Sequence, residues 1–201
     1  SIPPGGAREP WADGGGRALP ASHPPGSNGR AMSEPAASPD WKPELDAIVG
    51  ARHGGAAAAL LPRLRALDAR YPNTPEILHQ LAWSCEVLGR YRDAADAYER
   101  AIALGLPPNE LSSAFLGFGS ALRCLGEYAR SEQVLRQGQL QFPDQREFEV
   151  FLALTLHNLG RHTEAMQLLL TTLVETADDV GLAAYQRTIR FHAGQLDKKW
   201  E

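Results

Sequence analysis

The fold is decided by a four-residue stretch, Leu88-Gly89-Arg90-Tyr91, and by its two variants, Leu125-Gly126-Glu127-Tyr128 and Leu159-Gly160-Arg161-His162. The glycine in each stretch belongs to a longer series spaced by 34, 37, 34 and 34 residues: Gly55, Gly89, Gly126, Gly160 and Gly194. Each glycine falls between two predicted helices, where a residue that tolerates positive φ is needed to end one helix and begin the next. The spacing therefore predicts a chain of helix–turn–helix units.

Apolar residues around these turns recur at three and four positions, which favours helices throughout residues 41–196. Leu78, Leu81, Cys85 and Leu88 form one such stripe, and no β-branched run of period two competes with it. Helix starts are predicted by three local patterns. These are Thr74 before Pro75, Asp144 with Glu147 as a capping box, and Asp178 or Asp179 before a last helix.

Residues 1–40 differ in composition from the rest of the chain. They hold 15 of the 34 glycines and prolines and very few large apolar side chains. Such a segment cannot bury enough apolar surface to offset its conformational entropy, so we expect it to be disordered. Met32-Ser33-Glu34 has the composition of a translation start, which makes residues 1–31 a candidate for an extension upstream of the native protein.

With these turns and stripes, the chain resembles the tetratricopeptide repeat family, whose 34-residue unit is a helix–turn–helix. Residues 75–109 carry the motif most fully, including Ala82, Gly89, Tyr98 and Ala101. The phrases at 115–120 and 151–160 make the chain similar to the bacterial subgroup called tetratricopeptide repeat group 5. The later units depart from the pattern at four positions: Ser131, Gly138, Glu149 and Thr172.

This resemblance implies an all-α fold, a right-handed α–α superhelix. Residues 41–201 would form about four units and a capping helix, with these bounds: 41–73, 75–109, 112–145, 146–178 and 180–196. Stacked units cover one another's apolar faces. The capping helix is expected to turn four apolar side chains inward: Leu182, Tyr185, Ile189 and Leu196.

The resemblance also implies a binding groove lined by the first helix of each unit. The groove residues selected on this basis are His79, Trp83, Glu86, Leu116, Ser120, Arg123, Leu154, His157 and Phe191. Trp83 would stack on an apolar side chain, Arg123 would pair with a carboxylate, and His157 would titrate near neutrality. Glu86 would hold Arg123 or meet a basic ligand group. A purely structural alternative remains, with Trp83 capping a neighbouring helix and Arg123 paired to Glu86.

Several classes of function are disfavoured by composition. A net charge of −4 gives no basic footprint for nucleic acid. No apolar run approaches a membrane span, and no signal peptide precedes the repeats, so we expect a soluble cytoplasmic protein. Two cysteines without close spacing provide neither a disulfide framework nor a zinc site, and no cofactor or metal is predicted. The six scattered histidines form no catalytic or metal-binding motif.

The sequence thus predicts a non-catalytic adaptor or scaffold that binds a protein or peptide. One alternative is self-association as a homodimer through Leu60, Leu61, Leu64 and Leu67 of the irregular first unit. A less favoured alternative is thiol redox chemistry at Cys124, beside Arg123.

Overall fold

The structure is a computed structural model that describes residues 40–51 and 57–199, all of them within one compact unit, residues 38–201. Disorder is predicted for residues 1–40, and residues 1–39 of this segment lie outside the described residues. The same is true of the turn predicted at Gly55. Every statement about structure below concerns the described residues.

The described ranges contain nine helices and no strand, which confirms the all-α helical-repeat superhelix. The helices are α1 (Lys42–Gly50), α2 (Ala57–Arg70), α3 (Pro75–Val87), α4 (Tyr91–Leu104), α5 (Pro108–Cys124), α6 (Tyr128–Gln141), α7 (Glu147–Asn158), α8 (His162–Thr176) and α9 (Val180–Ala193). Each helix packs on the next along the chain, and α5 also contacts α3 and α7. Helices α3, α5 and α7 therefore form one layer, and we call their shared exposed surface the inner face.

Three turns of the glycine series have the backbone that the sequence predicts. Gly89, Gly126 and Gly160 have φ values of +71°, +79° and +77°. After Gly89, the amide of Arg90 donates to the carbonyl of Cys85, which closes the end of α3. A left-handed residue at this place lets the chain reverse within a few residues, so α4 packs back on α3.

The four leucines of α2 that were proposed for self-association are buried in the structure. Leu60, Leu61, Leu64 and Leu67 of α2 are all at most 6% exposed. Three of them pack with Leu45 and Ile48 of α1, and Leu61 joins the core beneath α3 and α4. The expectation that these leucines form an exposed dimer patch is wrong, because α1 and α3 already cover them.

Two departures from the repeat pattern are explained by packing. A Cβ on Gly138 would lie 2.2 Å from the ring of Phe148, so glycine is the residue that lets this buried phenylalanine pack against α6. The hydroxyl of Ser131 lies 2.7 Å from the carbonyl oxygen of Gly119 and 2.9 Å from the hydroxyl of Thr155. The buried serine is therefore satisfied by hydrogen bonds to α5 and α7.

The last helix packs only in part as the sequence predicts. Leu182 and Ile189 are half-buried, but Tyr185 is 65% exposed and Leu196 is 39% exposed, and Ala193 is the buried residue of α9. Gly194 has φ −77°, so it is not a left-handed turn. Helix α9 packs on α8, and the contacts that join α5 to α7 have no counterpart of similar extent between α7 and α9.

The register of the repeat gives the physical reason. Thirty-four residues after Leu152, Ala153 and Leu156, the sequence has Gln186, Arg187 and Arg190. Polar side chains therefore stand where a first helix needs apolar ones, and burying them unpaired would be costly. Gln186 instead donates to the carbonyl of Val174 at the end of α8.

Of the predicted helix starts, those of α3 and α9 are found and that of α7 is not. Pro75 begins α3 after Thr74, as predicted, and the Asp179 carboxylate accepts from the amide of Leu182 as the N-cap of α9. The capping box is wrong, because Glu147 is the first residue of α7 and Arg146 precedes it without a side-chain cap. The chain between Phe142 and Arg146 turns before the helix begins.

Candidate functional site

Glu86 and Ser120 are joined across the inner face. The carboxylate of Glu86, near the end of α3, accepts hydrogen bonds from the hydroxyls of Tyr98 and Ser120, and the bond from Tyr98 is 2.9 Å long. Burial raises the pKa of Glu86, and the two hydrogen bonds oppose that rise because they favour the ionised form. The result is a half-buried carboxylate held in place by α4 and α5.

Arg123 lies at the corresponding position of α5 but has different partners. Its Nη1 donates to the amide oxygen of Asn158 over 3.3 Å, and its Nη2 lies 3.9 Å from the sulfur of Cys124. Its Nε is buried and has no acceptor. Within the described part of the chain no carboxylate pairs with Arg123. The structural pair with Glu86 is therefore not formed: Glu86 bonds to Tyr98 and Ser120, and Arg123 bonds to Asn158 of the following unit.

A comparison with Arg136 shows how unusual this environment is. Arg123 and Arg136 are the two half-buried arginines among the described residues. Arg136 is bound by Glu132 at 2.8 Å and by Glu164 at 3.2 Å. Arg123 has only neutral partners. It is a cationic group on the inner face with capacity for an anion.

Trp83 and Leu116 supply apolar surface next to these charges. Trp83 precedes Glu86 by one helical turn of α3, so the two side chains share a face. Leu116 and Ser120 lie four residues apart on α5, so their side chains also share a face. Both Trp83 and Leu116 are half-buried. Aromatic and aliphatic groups beside fixed polar anchors are typical of a specific binding surface.

His79 has a different place from the one expected of a ligand contact. It is 7% exposed, and its two ring nitrogens are engaged by α5: Nδ1 lies 3.3 Å from Glu110, and Nε2 lies 3.0 Å from Ser113. Its ring also lies against Tyr98, with 6.0 Å between centroids. His79 thus fixes α5 on α3 and supports the inner face from beneath.

Leu154 and His157 lie farther along, on α7. Together with Met166 and Leu169 of α8 they border an open apolar cleft of about 530 Å³. The Nδ1 atoms of His157 and His162 are 3.1 Å apart, which brings the two imidazoles into contact at one end of this cleft. Asn158, the partner of Arg123, directly follows His157, so the α5 and α7 parts of the inner face are continuous.

Phe191 belongs to a separate part of the structure. It is exposed on α9 and packs edge-on against His192, with 5.3 Å between ring centroids. Because α9 packs on α8, Phe191 lies outside the α3–α5–α7 layer that carries the other selected residues.

Tyr91 is a neighbour of the site that the sequence reasoning assigned only to the repeat pattern. The pKa of its hydroxyl is raised, chiefly by the neighbouring Cys124 and also by Glu86, while Arg123 opposes the rise. Tyr91 therefore stands among the charged groups at the ends of α3 and α5. The available signal was its position two residues after Gly89, which the turn brings back towards those ends.

Other kinds of site find little support in the described part of the chain. Its histidines, cysteines and carboxylates form no group of three that could hold a metal ion. None of the helices from α1 to α9 is long and apolar enough to cross a bilayer. Both cysteines are free, Cys85 in the core and Cys124 exposed at the end of α5.

The sequence model of the TPR_5 family, described as tetratrico peptide repeat, matches residues 75–196. The chain belongs to this family. The match begins at the first residue of α3 and ends just beyond α9, so it includes all of the inner face defined above. A comparison with curated proteins gives no match.

Solved structures share the fold of this tetratricopeptide repeat protein. A chain of the APC/C hetero-tetramer Cut9–Hcn1 is similar with a TM-score of 0.63 and 16% identity, over 74% of this chain and 29% of that one. MamA from Desulfovibrio magneticus RS-1 is similar with a TM-score of 0.56 and 21% identity, over 81% of this chain and all of that one. At these identities the likeness concerns the fold.

Family and fold together support a protein-interaction or scaffold module in general. Proteins of this kind are typically non-catalytic adaptors. The chain spans less than a third of the length of the Cut9–Hcn1 neighbour, so what that larger protein assembles with is a property of that protein.

Proposed function

We propose that this protein is a non-catalytic adaptor whose inner face binds a peptide or partner segment that carries a carboxylate. The observation that supports the proposal is Arg123, a half-buried guanidinium that has neutral hydrogen-bond partners and a buried Nε without an acceptor. Leaving a buried donor unsatisfied costs about 1–3 kcal/mol. A ligand carboxylate would remove that cost.

The geometry of arginine favours this class of ligand. A guanidinium binds a carboxylate through two parallel N–H donors, which fixes orientation as well as charge. Nη2 is the group whose N–H lies parallel to the Nε–H on one edge of the guanidinium, and its contact is the Cys124 sulfur at 3.9 Å. A change of the Arg123 rotamer that brings the buried Nε to the surface would present the edge formed by Nε and Nη2 for a bidentate contact with an acidic side chain or a C-terminal carboxylate.

Trp83 and Leu116 would supply the apolar part of the interface. Both are half-buried on neighbouring helices, so a ligand side chain that covers them removes apolar surface from water while the helices stay in place. The aromatic ring at such a position is the type of residue in which interface binding energy concentrates. Glu86, one turn beyond Trp83, would favour a basic group in the ligand.

The family supports the general class of the proposal, and the Cut9–Hcn1 neighbour is itself a member of a hetero-tetramer. Homodimerisation through α2 has no support, because its leucines are buried. Thiol chemistry at Cys124 is also less favoured, since the other cysteine of the chain, Cys85, is buried in the core. Two free cysteines fit a reducing compartment, and we place the adaptor in the cytoplasm.

A selection from a displayed random-peptide library tests the proposal with the full chain as bait. We expect the selected peptides to be enriched in Asp, Glu or a free C-terminus. Their affinity should fall about tenfold or more in Arg123→Gln. The matched control is Arg100→Gln, which removes the same charge from the exposed side of α4. Equal loss in both variants, or selected peptides without a carboxylate, would contradict the proposal.

A further inference from the structure

The outer end of the α7–α8 pair carries an uncovered apolar trough. Val150 and Leu154 of α7 and Met166 and Leu173 of α8 form its sides, and each is between 40% and 50% exposed. Ala153 and Ala165 form its floor. Two adjoining clefts that share Leu169 extend it along most of both helices. We call this surface the end trough.

The protein itself shows what covers such a surface. The equivalent face of the α3–α4 pair is covered by α5, and that of the α5–α6 pair is covered by α7. The end trough is the third face of this series, and α9 leaves it open because its core-facing positions are Gln186, Arg187 and Arg190. Because a helix covers the equivalent surface at two other places in the same protein, we expect the end trough to fit a helix as well.

We propose that the end trough is a second binding site, which takes one amphipathic helix of another protein, parallel to α7. The covering helix α5 shows the required pattern: Phe118 and Leu122 join the core shared with α3 and α4, and Gly117 directly precedes Phe118. The small residue lets the helix backbone approach the pair beneath it, because a Cβ on Gly117 would overlap the ring of Tyr98 in α4. The partner helix therefore has two large apolar residues four positions apart, with a small residue directly before the first.

Charge fixes the direction of the partner helix. Glu147, three residues before Val150 on the same face of α7, is exposed and joins no ion pair with the described residues. His157 and His162 stand at the other end of the trough. A helix parallel to α7 puts its positive N-terminal end near Glu147. Its last carbonyl groups then lie near the imidazoles, which can donate hydrogen bonds to them.

Every helix that the structure describes in a second copy already packs in its own array: α3, α5 and α7 bury their apolar faces there, and α9 packs on α8. We therefore assign the partner helix to a different protein. The trough includes the α7 part of the inner face through Leu154 and His157, but it uses neither Trp83 nor Arg123 of the carboxylate site.

The test uses a synthetic probe with the sequence of residues 107–125 and Cys124→Ser, labelled with a fluorophore, and the full-length protein. We expect saturable binding by fluorescence anisotropy with a Kd below about 100 µM. Met166→Glu should weaken it about tenfold or more, because a carboxylate would then be buried under the probe. Leu140→Glu, at a residue 83% exposed on α6, is the matched control and should bind like the wild type.

Three further arms separate the outcomes. A probe with Phe118→Glu should not bind to the wild-type protein. The Trp83→Ala protein should bind the unchanged probe with the affinity of the wild type, whether or not the inner-face proposal holds. A nitroxide on the N-terminus of the probe should broaden the amide signal of Glu147, and one on the C-terminus that of His162. Unchanged circular dichroism of the Met166→Glu protein shows that its fold is intact.

The proposal is overturned by any of four results. These are no saturable binding up to about 1 mM probe, equal binding to Met166→Glu and Leu140→Glu, the reverse pattern of broadening, and a dimer of the protein alone that Met166→Glu dissociates. The last result would make a second copy the occupant of the trough.

Discussion

Gly89 and Gly194 have the same place in the sequence repeat but opposite backbone conformations, and alanine substitutions should separate them. Gly89 has φ +71°, and a Cβ built there meets no described atom within 4 Å, so strain in the backbone is the whole cost of Gly89→Ala. A left-handed conformation costs an alanine about 1–2 kcal/mol. Gly194 has φ −77°, and its nearest atoms would lie 3.8 and 4.0 Å from a new Cβ. Gly194→Ala should therefore be neutral or stabilising by up to about 1 kcal/mol.

Thermal unfolding followed by circular dichroism measures the difference. For a domain of this size, 1 kcal/mol corresponds to about 2–4 °C in Tm. We expect Gly89→Ala to lower Tm by about 2–8 °C and Gly194→Ala to leave it unchanged or raise it. Gly89→Asn should lose less than Gly89→Ala, because asparagine tolerates positive φ. Equal losses at the two glycines would refute the assignment of the turn after α3 and of the end of α9.

Three further predictions concern single buried groups. Burial raises the pKa of Glu86 above 4.5, so the folded protein keeps its proton where the unfolded chain loses it, and stability falls as pH rises through that range. The stability of Glu86→Gln relative to the wild type should accordingly rise between pH 4 and neutrality in urea titrations; a constant difference would contradict this. Gly138→Ala should destabilise the protein by about 1–3 kcal/mol despite the better helix propensity of alanine, because its Cβ meets the buried ring of Phe148; an increase in Tm would show that the ring can move. Ser131→Ala should cost about 1 kcal/mol in chemical unfolding, and much less when Thr155 is already valine, because the two hydroxyls share a hydrogen bond; additive losses would exclude that coupling.

The sequence predicted the fold well because the repeat uses a strong local signal, a left-handed turn every 34 residues between amphipathic helices. The signal failed at Gly194, where the spacing continues but the helix before it has Gln186 and Arg190 at core-facing positions. Spacing predicts where a turn can form, whereas burial decides how a helix packs. Reading the polarity of α9 in register with α7 would have predicted its displacement.

The candidate site was predictable in position but not in pairing. Register alone places Glu86 and Arg123 on the same layer of helices, one unit apart. Each has neighbours on both sides, and spacing does not tell which will bond. In the structure Glu86 bonds to Tyr98 and Ser120, and Arg123 bonds to Asn158 of the following unit. The burial of His79 was also missed, because it depends on Glu110 and Ser113 in the first turns of α5, the next helix of the same layer.

The most direct test of the account is a map of the bound surface by NMR of the full-length protein with a peptide selected on it. The account predicts that the largest shifts fall on α3, α5 and α7, including the indole N–H of Trp83 and the Nε–H of Arg123. Largest shifts on α4 and α6, with these two signals unmoved, would contradict the claim that the layer of first helices is the binding surface.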